Sequence, residues 1–165
     1  MHALIVGVSD YVPYLPLIGG SVSKDPPTFG MRSLNTPAAS AAAVFNWIVS
    51  NQGYLREPLG TCRLLLAPSE AEKERMNLAP EYKWSTASRA SFVEAAADWR
   101  NDASERPGHI TMFYFAGHGV QLKYDEQVLL FPGFGKPGGT TPILQEGVLL
   151  DNIVTGMGPS DDRKT

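Results

Sequence analysis

The sequence predicts an α/β fold in three layers, a mostly parallel sheet with helices on both faces. Three observations lead there. Apolar runs without polar alternation occur at residues 3–8 (ALIVGV), 62–67 (CRLLLA) and 110–116 (ITMFYFA); this is the pattern of strands covered on both faces. Two stretches of helical period lie between them, at 38–50 and 88–101. The resulting order of strand, helix, strand, helix, strand is that of parallel βαβ units, whose crossovers are right-handed.

The first run leads into a long Pro- and Gly-rich segment, 9–36, with Pro13, Pro16, Gly19, Gly20, Pro26, Pro27 and Gly30. Loops of that length usually carry function or lack fixed structure. Thr36 and Pro37 then stand as N-cap and first helical residue. In the helix that follows, Ala42, Phe45 and Ile48 or Val49 share a face, and Gly53 ends it. Residues 68–84 are polar, without a period, and predict a loop. In the second helix Phe92, Ala95, Ala96 and Trp99 share a face, and Pro107-Gly108 turns the chain out of it. After the third run, 120–131 predicts a hairpin turning at 123–126. Residues 132–142 are rich in Gly and Pro, 149–157 predict another helix, and 158–165 read as a turn-like tail. Trp47 and Trp99, on helix faces, are expected in the core.

Composition narrows the function classes. The 165 residues make one domain, 1–165, and are 43% apolar and 19% charged, an ordinary globular mixture. A net charge of -3 argues against nucleic-acid binding, which needs a basic face. One cysteine, Cys62, excludes an internal disulfide and fits a reducing compartment. The N-terminal apolar run is too short for a signal peptide, and no run approaches the ~20 residues of a membrane span. A soluble, cytoplasmic protein without membrane contact is expected.

Ligands of open parallel sheets bind beyond the carboxyl ends of the strands. The third run leaves the sheet directly into Gly117-His118-Gly119. Glycines on both sides permit backbone angles that other residues resist, and let a substrate approach the imidazole. An imidazole, with an unperturbed pKa of ~6.5, suits proton transfer near neutrality; it can equally be a polar cap on a turn.

The other motifs carry less. Residues 133–141 (GFGKPGGTT) lack phosphate-loop spacing, and Pro137 stands where a Mg²⁺-binding hydroxyl would be needed. The dinucleotide fingerprint is absent from the first strand. One cysteine and scattered histidines give no zinc spacing, so no metal and no cofactor are expected. His2 and His109 begin strands at the end away from the loops and are expected to be structural. Cys62 also opens its strand at that end, where a cysteine usually acts as a small hydrophobe.

Residues 110–119 (ITMFYFAGHG) resemble the histidine strand of caspase-like cysteine peptidases, the group that includes caspases, metacaspases and bacterial relatives. Residues 2–11 (HALIVGVSDY) are similar to the first strand of that family, and 34–41 (LNTPAASA) to the opening of its first helix, although Ser40 stands where the family usually has Asp. The resemblance covers most of residues 3–131. It implies a caspase-like sheet, incomplete at its C-terminal side, and hydrolysis of peptide bonds by a Cys–His dyad. It implies that His118 is the acid–base and that the Gly119 N–H is an oxyanion donor. Arg32, Asp10 and Asp25 become candidates for the substrate pocket; an arginine there would pair with a substrate carboxylate. The family's chemistry needs no cofactor, though calcium activates some members. The nucleophile follows the histidine by about 50 residues in this family, whereas His118 stands 47 residues before Thr165. The cysteine strand is therefore expected beyond Thr165, and the implied partners are a protein or peptide substrate and the remainder of the domain. The alternatives are a non-catalytic scaffold of the same fold and the variant peptidase domain found beside sensor domains in bacterial defence systems.

Overall fold

The computed structural model describes residues 1–11, 30–76, 82–106, 108–134 and 145–157. Strand β1 is His2–Val8, β2 is Thr61–Ala67, β3 is Ser85–Thr86 and β4 is Thr111–Ala116. They form an all-parallel sheet in the order β3-β2-β1-β4. Helix α1, Pro37–Ser50, covers one face and α3, Arg89–Ser104, the other. A short α2, Glu70–Lys73, follows β2. Beyond β4, strands β5 (Gly119–Lys123), β6 (Glu126–Leu130) and β7 (Gly147–Leu149) form a small antiparallel sheet, and helix α4 is Leu150–Gly156. The fold is α/β, with a four-stranded parallel sheet and a three-stranded antiparallel one.

Both faces of β1 are buried because both carry a helix. Ala3 and Ile5 pack with Leu64, Leu66 and the α1 side chains Ala38, Ala41, Phe45 and Ile48. Leu4, Val6 and Val8 face the other way, with Leu65, Phe92 and Trp99. Burying a Leu, Ile or Val side chain contributes ~1.5–3 kcal/mol. Four such residues, Leu4, Ile5, Val6 and Val8, are wholly buried in this one strand. Gly7 sits where α1 comes closest. A Cβ there would stand 2.7 Å from Ala38 Cα and Ala41 Cβ.

The strand starts carry a polar cluster. His2 Nδ1 lies 2.9 Å from Thr61 Oγ1, which itself donates to Asp102 at 2.9 Å. Arg63 pairs with Asp102 and also donates to Thr61. His2 Nε2 is 3.1 Å from His109 Nδ1, and the Trp99 indole N–H donates to His2 O at 3.0 Å. A hydroxyl already donating to a carboxylate must accept from His2, so Nδ1 carries the proton and Nε2 accepts from His109. Both histidines are structural here, and Cys62 opens β2 at this same end.

Several expectations need correction. Trp47 is 61% exposed and not core, whereas Trp99 is buried. The Thr36 side chain does not cap α1. The helix does end at Ser50 as expected, and a 3-10 turn at Gln52–Tyr54, which contains Gly53, follows it. The segment read as a plain loop, 68–84, contains α2 and leads into β3, and β7 precedes α4. The tail and residues 135–144 lie outside the described residues. No helix among the described residues is long and apolar enough to cross a membrane.

Two tests follow from this packing. Gly7→Ala should destabilise the fold by ~1–3 kcal/mol through overpacking, read by urea unfolding. Burial, then His109 and the Met1 amino group, lower the pKa of His2, against the opposing pull of Asp102 and Glu105. The unfolded chain therefore binds this proton more readily. The His2 contribution should be complete above its unperturbed pKa of 6.5 and decline as pH falls below that value. The stability difference between wild type and His2→Gln, followed by urea unfolding across the transition, should shrink on acidification.

Candidate active site

Three chain segments leave the carboxyl ends of β1, β2 and β4 and meet at one edge. After β1, the Ser9 and Asp10 N–H groups both donate to Ala67 O at 2.9 Å, which ties the exit of β1 to that of β2. Ser9 O accepts from Leu34 N–H at 2.7 Å, and Ser33 Oγ accepts from Tyr11 N–H at 3.0 Å. These bonds draw residues 31–34 back alongside 9–11. Ser33 is buried, so its hydroxyl is committed to this contact.

Glu72 organises the same edge from below. Its carboxylate is wholly buried and accepts from Ser69 N–H and Ser69 O–H, each at 2.9 Å, and from Ala39 N–H at 3.0 Å. The Ser9 hydroxyl is a further donor to it. Ser9 Oγ in turn accepts from Ala38 N–H at 2.9 Å. The first turn of α1 is thus capped by Ser9 and Glu72, from outside the helix. Burial alone would raise the pKa of Glu72, but its donors outweigh it and leave the pKa below the ordinary 4.5.

Tyr11 and His118 meet at the far side. The Tyr11 ring is wholly buried, and burial pushes its hydroxyl pKa upward, so it stays protonated. It donates to Leu130 O at 3.1 Å and accepts from His118 N–H at 2.9 Å. The two rings lie 5.0 Å apart between centroids, tilted by 48°. The half-buried His118 presents Nε2 to Arg32 O at 2.5 Å. A carbonyl can only accept, so Nε2 carries the proton and Nδ1 is the basic nitrogen of the neutral ring. Nδ1 has no hydrogen-bond partner among the described residues.

Of the residues expected from sequence, His118, Gly119, Arg32 and Asp10 come to this one edge. Arg32 contacts His118 through its main-chain oxygen, while its side chain is exposed. Asp10 is half-buried between Ser9 and Tyr11. Asp25 and Pro137 lie outside the described residues. The glycines beside His118 need correction: the positive φ angles among the described glycines are at Gly30, Gly108 and Gly133. Gly117 instead supplies room, since a Cβ there would stand 3.0 Å from Phe115 and from the Tyr11 hydroxyl.

Sequence reasoning missed Tyr11, Ser9, Ser33 and Glu72. Only Glu72 had a clear signal, the S-x-x-E pattern from Ser69 that forms a capping box. Cys62 is remote from this edge, and burial raises its pKa to about 11. No group of three or more His, Cys, Asp or Glu side chains suited to a metal ion occurs among the described residues. Comparison with known proteins returned no matching family model, no matching curated protein and no matching solved structure.

Glu72→Ala would leave the part-buried N–H groups of Ser69 and Ala39, on two elements, without their acceptor, and should cost ~1–3 kcal/mol in urea unfolding at neutral pH. Because the folded pKa is depressed, the carboxylate's contribution is present above about 4.5 and fades as pH falls below it. The wild-type and variant stabilities should therefore converge in acid.

Proposed function

We propose that this chain is the histidine-bearing part of a caspase-like cysteine endopeptidase domain. The observation that carries the reading is the fixing of His118 Nε2 on the Arg32 carbonyl, which leaves Nδ1 as the base. A thiol peptidase needs an imidazole in one tautomer, able to take the thiol proton and return it to the leaving amine. The second support is Gly119. The register pairs Gly119 with Leu129, next to the bond from Leu130 N–H to His118 O. Residues 118 and 130 are a hydrogen-bonded pair, so 119 and 129 are not, and the Gly119 N–H is directed away from β6. That N–H is suited to donate a hydrogen bond to a substrate oxygen on which negative charge develops.

The nucleophile is not Cys62, whose thiol has a raised pKa and lies at the opposite end of its strand. In this reading the thiolate comes from a strand outside these 165 residues, beside β4. The outer edge of β4 has no strand partner among the described residues. Arg32 and Asp10 are the candidates for contacting the side chain before the cut, Arg32 selecting acidic residues. The expected setting is cytoplasmic, with no cofactor in the chemistry. The one thiol of these 165 residues, Cys62, lies at the opposite end of its strand from His118, and this supports a second reading, a non-catalytic scaffold of the same fold.

The test is peptide hydrolysis by the natural gene product that contains this chain together with its downstream sequence. Fluorogenic peptides with acidic or basic residues before the cut should be turned over. His118→Ala should lower kcat by about 10³-fold or more. The 165 residues alone should show no turnover. Cleavage that survives His118→Ala would overturn the assignment, and a well-folded product without any hydrolysis would favour the scaffold.

A further inference from the structure

Strand β5 is joined to β6 irregularly at its start. In an antiparallel hydrogen-bonded pair the two residues exchange both N–H···O bonds. Leu130 N–H does donate to His118 O, at 3.0 Å. The reciprocal bond runs through a side chain: His118 N–H donates to the Tyr11 hydroxyl at 2.9 Å, and that hydroxyl donates to Leu130 O at 3.1 Å. An oxygen from the exit of β1 is thus inserted into the ladder one residue before β5 begins.

We propose that Tyr11 is the positioning residue of this site, its hydroxyl bridging the open rung between His118 and Leu130 and so setting the course of the His118–Gly119 backbone. The functional part of this rests on the peptidase reading above; the structural part does not. Four observations bear on it. The hydroxyl uses its one donor and an acceptor in the bridge, so it is committed to that place. The ring that carries it is wholly buried and has little freedom to move. Gly117 leaves the hydroxyl its room, since a Cβ at 117 would stand 3.0 Å from it. The Tyr11 N–H holds Ser33, next to the residue whose carbonyl takes the imidazole. One residue therefore governs both ends of His118. Its hydroxyl sets the main chain, and its amide anchors the segment that orients the ring. The Gly119 N–H inherits its direction from the same rung.

A tyrosine that merely fills the core would, when changed, lower global stability and leave the local geometry of His118 intact. A positioning tyrosine predicts a local change out of proportion to the global one. The experiment compares wild type with Tyr11→Phe, in this chain and in the full gene product. Amide exchange of His118 should speed up about tenfold or more beyond that of core amides such as Ile5, because its N–H loses its acceptor. The Nε2–H and ring resonances of His118 should shift. In the full gene product kcat should fall by about 10²-fold with KM little changed, the loss expected when a reacting group is misplaced. If Tyr11→Phe fails to fold, Gly117→Ala, which crowds the hydroxyl with the tyrosine retained, should give the same local changes. Unchanged His118 exchange and ring signals in the folded variant would overturn the proposal. Local changes in a gene product that never hydrolyses peptides would keep the positioning role and remove the peptidase reading.

Discussion

A strand covered by a helix on each face and paired on each edge has no access to water until it ends. β1 is in that situation: its apolar residues are buried, β2 and β4 pair with its two edges, and Gly7 brings α1 down onto it. The first polar groups it can release are those of Ser9, Asp10 and Tyr11. They are released inside the protein, where an unpaired donor costs ~1–3 kcal/mol. The surrounding segments satisfy them: Ala67 O, Ser33, Leu34 N–H, Glu72 and Leu130 O all bond to this exit. The site is thus assembled around the need to satisfy one buried strand end.

That need also explains what could be read from sequence. Strand β1 was legible as an apolar run because being covered on both faces demands it. β4 shows the same pattern but is, among the described residues, an edge strand whose residues are half-buried or exposed, so the expectation that it is covered on both faces is corrected. The two main helices were legible from their period, and the exit through Gly117 and His118 from composition. The bonds that join the exits were not, because they link residues far apart in sequence. Tyr11 and His118 are 107 positions apart, and Ala39 and Glu72 are 33. The capping of α1 is the clearest case. Thr36 had the right type and place, but Ser9 and Glu72 supply the acceptors. Trp47 failed for another reason: it was placed by residue type, while at 3.6 residues per turn it lies about 200° from Phe45, off the stripe that packs on the sheet. Strand β3 has two residues, both exposed, and left no pattern to detect.

The two ends of the parallel sheet are built with opposite logic. At the amino end, His2, His109, Thr61, Arg63 and Asp102 form a closed network in which the His2 ring nitrogens and the Thr61 hydroxyl all have partners. At the carboxyl end, among the described residues, the groups of Ser9, Tyr11, Ser33 and Glu72 are bonded, and His118 Nδ1 has no partner. Two histidines with every nitrogen of one committed are a staple; His118 has one ring nitrogen held by a carbonyl and no hydrogen-bond partner for the other among the described residues. The contrast separates His118 from His2, where residue type alone could not.

The oxygen that holds the imidazole belongs to a peptide unit, which every amino acid carries. The hold on Nε2 is therefore independent of which side chain stands at position 32, provided the backbone keeps its path. For this hold, selection would act on the curve of the chain, through Ser33 and Leu34, and not on the side chain at 32, whose proposed part in the substrate pocket is a separate constraint. Alanine scanning would pass over the hold.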